Sequence, residues 1–109
     1  MRFHSTLDAE LLTAVHCEIK RLLSVNLFNL PSDRMAAGLL RAAVHDAHNG
    51  IIAADFDELL GRALDPAERK AVHRAVTRLV NAGHLESLRL GYDGKRMTHL
   101  RLVEANQPA

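Results

Sequence analysis

Arg69, Lys70, His73, Arg74 and Thr77 recur at spacings that place side chains on one side of a helix. Together they offer guanidinium, ammonium, imidazole and hydroxyl groups, and no acid interrupts them. Cations and donors so arranged suit a polyanion, because they neutralise phosphates and reach the acceptor edges of bases in a duplex groove. A second cationic group follows: Lys95 and Arg96 flank Asp93-Gly94, with Arg89 before and Arg101 after. Seven histidines raise metal binding, yet His45 and His48 are only a pair, and adjacent His16 and Cys17 point to different sides. Zinc needs three or four converging ligands, so surface histidines are the default reading. No nucleophile elbow, phosphate-cradling glycine loop or working carboxylate pair is present, and the chain reads as no enzyme, with no metal and no cofactor.

The first cationic row needs a helix. Asp65-Pro66-Ala67-Glu68 starts one, with a carboxylate at the cap, proline where its missing N–H costs nothing, and a glutamate able to reach back. Val72, Ala75, Val76, Leu79 and Val80 supply its buried stripe, and Gly83 marks its exit. The second group needs a hairpin, with Leu85, Leu88 and Leu90 on one arm and Met97, Leu100 and Leu102 on the other. A two-residue Asp93-Gly94 turn sets Leu88 opposite His99 and Leu90 opposite Met97. A three-residue Asp93-Gly94-Lys95 loop sets Leu88 opposite Leu100 and Leu90 opposite Thr98. The longer loop gathers Leu88, Leu90, Leu100 and Leu102 on one face, so burial favours it.

The run VTRLVNAGHLESLRLGYDGKRMTHLRLV resembles the recognition helix and wing of bacterial winged helix-turn-helix regulators of the MarR and ArsR type. The likeness extends over about Ser32 to Val103. Many relatives open the recognition helix with small hydroxyl residues, whereas Pro66, Ala67, Glu68, Arg69 and Lys70 stand here. The resemblance implies a mainly α fold with a small β wing, a winged helix-turn-helix carrying an extra N-terminal helix. It implies duplex DNA as partner, residues 66–82 in the major groove and the wing at 85–103 on the backbone or minor groove. The expected DNA-binding residues are Arg69, Lys70, His73, Arg74, Thr77, Arg89, Lys95 and Arg96. A transcription regulator is the expected role; a plasmid or phage replication or partition factor, or a winged helix turned onto a protein, are its rivals.

The rest of the chain fits around this half. Net charge is only +1, but residues 1–61 hold five Lys/Arg against eight Asp/Glu, and residues 62–101 hold nine against four. Positive charge is thus concentrated on the helix and ribbon. Length bounds the chain to one domain, divided as an N-terminal helix (1–30), the winged-helix region (31–104) and a loose tail (105–109). In the first helix Asp8 and Glu10 suit the dipole, and Leu12, Val15, Ile19, Leu22 and Asn26 step as a helix-pairing seam, which predicts a homodimer. Ser32 reads as the next cap, before a buried stripe running from Met35 through Leu39 to Ala47. Single Cys17, on an apolar-striped helix, reads as buried and fits a reducing cytoplasm. No apolar run approaches a membrane span.

Overall fold

Aspartates start three of the helices. The Asp33 side chain accepts from the Met35 amide at 3.1 Å, Asp55 from Glu58 at 3.3 Å, and Asp65 from Glu68 at 2.8 Å. The computed structural model describes residues 6–92 and 95–103, with Tyr92 and Lys95 described in backbone only. Within them lie α1 (Thr6–Leu23), α2 (Arg34–His48), β1 (Ile51–Ala53), α3 (Phe56–Leu60), α4 (Pro66–Asn81), β2 (Leu85–Tyr92) and β3 (Lys95–Leu102). The strands form one antiparallel sheet in the order β1-β3-β2, so the fold is α+β. Asp33, with extended backbone, caps α2 in place of Ser32. Asp93-Gly94, Met1 to Ser5 and the tail from Glu104 lie outside the described residues.

The core joins all the layers. Leu11 and Val15 of α1, Val72 and Leu79 of α4, and Leu85 and Leu100 of the sheet are almost wholly buried. Here the pairing seam is corrected. Val15, Ile19 and Leu22 are buried in the chain's own core, because α1 packs on α4, α2 and α3. Leu12 is half-buried, and exposed Asn26 accepts from the Phe28 amide at 2.9 Å. Val15, Ile19 and Leu22 of the stripe assigned to a partner helix are therefore used within one chain, and α1 packs as part of the same body. Asp8 likewise does not sit at a solvated helix start: it is 2% exposed and paired with Arg78 of α4. Cys17 is exposed, on the opposite side of α1 from its buried stripe. On α2, Val44 and Ala47 are buried, but Met35 and Leu39 face outward.

The hairpin takes the shorter loop. Leu88 pairs with His99, Leu90 with Met97 and Tyr92 with Lys95, leaving two residues at the tip. The preference for four leucines on one face fails because β1 fixes β3 independently, setting Ile52 opposite Leu100. Leu85, Leu100, Leu102 and Ile52 then share the inner face, and Leu88 and Leu90 lie on the other with Met97 and His99. On that second face Leu88 and Leu90 are half-buried rather than stranded.

Candidate nucleic-acid interface

α4 carries the first cationic row. Its capping box is complete: Glu68 accepts from the Asp65 amide at 3.3 Å while Asp65 accepts from Glu68. The same Glu68 lies 3.5 Å from Arg62, which also donates to Glu10 at 2.7 Å. These carboxylates hold the Arg62 guanidinium above its ordinary pKa, Glu10 foremost. Glu68 is thus turned back to the helix start and carries a local counterion. Burial of Val72, Ala75 and Leu79 fixes the rotation of α4, which leaves Arg69, Lys70, His73, Arg74 and Thr77 exposed.

These five are not equivalent. Lys70 and Arg74 make no ion pair among the described residues. Arg69 donates to Asp57 of α3 at 2.9 Å, an exposed pair across the turn between α3 and α4. His73 meets the Phe56 ring edge-on, with centroids 5.5 Å apart and planes at 83°. The Thr77 hydroxyl donates to the His73 carbonyl at 3.1 Å, which leaves its oxygen as an acceptor.

α4 leaves the core by a left-handed glycine. Gly83, at φ 83°, donates to Val80 at 3.0 Å, and His84 donates to Leu79 at 2.9 Å. This double closure turns the chain straight into β2. At the foot of the ribbon Val103 donates to the His84 carbonyl at 3.0 Å and Leu102 to the Gly50 carbonyl at 2.8 Å. Helix and ribbon consequently share a groove: Arg69, His73 and Thr77 form one wall, Ser87 and Thr98 the other, over Val76 and Val80. Strand alternation puts Arg89 and Arg96 on the same sheet face as Ser87 and Thr98, further towards the tip. Both arginines are exposed. The Lys95 side chain lies outside the described residues.

Two further cations of the basic half, Arg78 and Arg101, are held by carboxylates. Arg78 grips Asp8 through Nε at 2.9 Å and Nη2 at 2.6 Å, and this bonding raises its pKa. Arg101 binds Glu86 through Nε and Nη2, each at 3.1 Å, on the sheet face away from the groove. The Arg101 guanidinium holds the Glu86 carboxyl below the ordinary carboxylate range. Ser87, Thr98 and Phe56 are groove residues that sequence reasoning passed over. The two-residue register, weighed and set aside, carried the signal for Ser87 and Thr98. Among the described residues no group of three or more His, Cys, Asp or Glu side chains is placed to hold a metal ion, and no helix is long and apolar enough to cross a membrane.

No protein-family model, curated protein or solved structure matches the chain.

Proposed function

We propose that the chain is a winged helix-turn-helix that binds duplex DNA, in the manner of a small transcription regulator. α3 and α4 serve as the helix-turn-helix and β2–β3 as the wing. The observation that carries this reading is the groove between α4 and the ribbon, with exposed cations on both sides of it. A helix of this diameter fits the major groove, and a ribbon beside it reaches the flanking backbone. In this reading Lys70 and Arg74 make the first contacts. His73 and Thr77 face base edges, and Ser87, Thr98, Arg89 and Arg96 engage the strand that passes between helix and wing.

Fluorescence anisotropy with a labelled random-sequence duplex at about 50 and 200 mM salt tests it. Each phosphate neutralised contributes a slope of about 0.9 in log affinity against log salt. Lys70→Ala/Arg74→Ala should lower that slope by about 1.8 and keep the wild-type melting temperature, since neither side chain makes an ion pair among the described residues. A salt-insensitive signal, or a double variant that binds like wild type, would overturn the reading.

A further inference from the structure

A second groove adjoins the first, on the α2 side of the sheet. Met35 and Leu39 of α2 are 74% and 62% exposed, and Met97 of β3 is 54% exposed. Leu39 and Met97 meet across a groove between α2 and the β1–β3 side of the sheet, with Leu22, Ala43 and Ile52 deeper in. Soluble domains leave such concave apolar strips open where something docks. Among the described residues the charged side chains lining it are Glu18, Asp46, Asp55 and Glu58, with Arg21 the one cation. Arg21 is held foremost by Glu18 at 2.6 Å and also feels Glu58, so a single cation faces several acids among the described residues.

We propose that this groove docks a cationic amphipathic segment of a partner protein, with apolar anchors against Leu39 and Met97 and Lys or Arg beside Glu58 and Asp55. The rim selects the occupant. A second copy related by a twofold axis would bring these carboxylates against their own equivalents, at like-charge cost. An anionic membrane surface would be repelled for the same reason. A helix with residues i, i+3 and i+7 apolar and lysines at its flanks satisfies both the strip and the rim. Asp55 and Met97 also line the groove beside α4, so an occupant here touches residues shared with the proposed DNA site.

The probe is a labelled helical peptide of leucines at three- and four-residue spacing flanked by lysines, compared with its twin carrying glutamate for every lysine. The assay holds no DNA, so its outcome is independent of the DNA reading. The lysine peptide should bind saturably and lose affinity as salt rises. Leu39→Glu should weaken it at least about tenfold and Glu58→Lys about three- to tenfold, with the glutamate peptide not bound. Both substitutions are at exposed positions, and an unchanged circular dichroism melt confirms that the fold persists. Equal binding of the two peptides, no binding of either, or indifference to both variants would overturn the proposal. So would sedimentation of the free chain as a dimer that Leu39→Glu dissolves, which would make the occupant a second copy.

Discussion

At the scale of single residues, the exposed cations of α4 divide by what already holds them. Lys70 and Arg74 carry no ion pair among the described residues and give their full charge to an approaching polyanion. Arg69 must first leave Asp57, 2.9 Å away. An exposed pair of this kind is weak, but phosphate has to replace it rather than add to it. Arg69→Ala should therefore cost less DNA affinity than Lys70→Ala or Arg74→Ala, measured by anisotropy at one salt concentration. Asp57→Asn should tighten binding a few-fold and steepen the salt slope by up to about 0.9, because Arg69 is released. Asparagine keeps the oxygen that accepts from the Leu64 amide at 3.4 Å, so the turn is preserved. A slope unchanged by Asp57→Asn would show that Arg69 stays off the nucleic acid. The exposure of this row was legible from helical spacing alone. The Asp57 contact was not, because it depends on how α3 crosses α4, which no local pattern encodes.

At the scale of elements, α4 and the ribbon stand on different supports. The helix rests on its cap and its stripe. Asp65→Ala removes the acceptor for the Glu68 amide and should cost about 1 kcal/mol. Leu79→Ala opens a cavity beneath the helix and should cost about 2–5 kcal/mol. Denaturant titration distinguishes the two by their midpoints. The ribbon has the Glu86–Arg101 pair on its outer face. Since Glu86 titrates below its ordinary value of 4.5, its contribution is complete above that value and is lost as pH falls through the lowered one. Amide exchange in β2 and β3 should accelerate on acidification below the ordinary carboxylate range in wild type, corrected for intrinsic rates, and show a smaller pH response in Glu86→Gln. The helix start at Asp65 and the exit at Gly83 were readable, since each rests on local hydrogen bonding. The hairpin register was misjudged because β1, more than forty positions away in the chain, sets it through Ile52 and Leu100.

Across the whole molecule, α1 is the element whose role changes most between sequence and structure. An apolar helix with heptad rhythm suits a partner helix or its own domain equally, and only the fold shows Val15 and Ile19 facing inward. Asp8 then joins α1 to α4 through Arg78, 70 positions apart. Arg78 is partly exposed, whereas the Asp8 carboxylate is buried. Removing the arginine takes the guanidinium away from a buried carboxylate, and removing the acid leaves a cation that water can reach. Arg78→Met should therefore lower the melting temperature more than Asp8→Asn, and the reverse order would show that α1 docks by apolar contact alone. The separation of acidic first half and basic second half, visible in the sequence, underlies the two adjoining grooves proposed above, one for a polyanion and the other for a cationic apolar segment.

The double closure at Gly83 and His84, together with the bonds at the foot of the ribbon, makes α4 and the ribbon behave like the jaws of a fixed calliper. Neither jaw can swing without breaking hydrogen bonds that the other shares. A duplex seated between them has to supply the matching spacing itself, by its native groove width or by bending. Preference among DNA sequences should then follow stiffness and groove shape as well as the base edges touched.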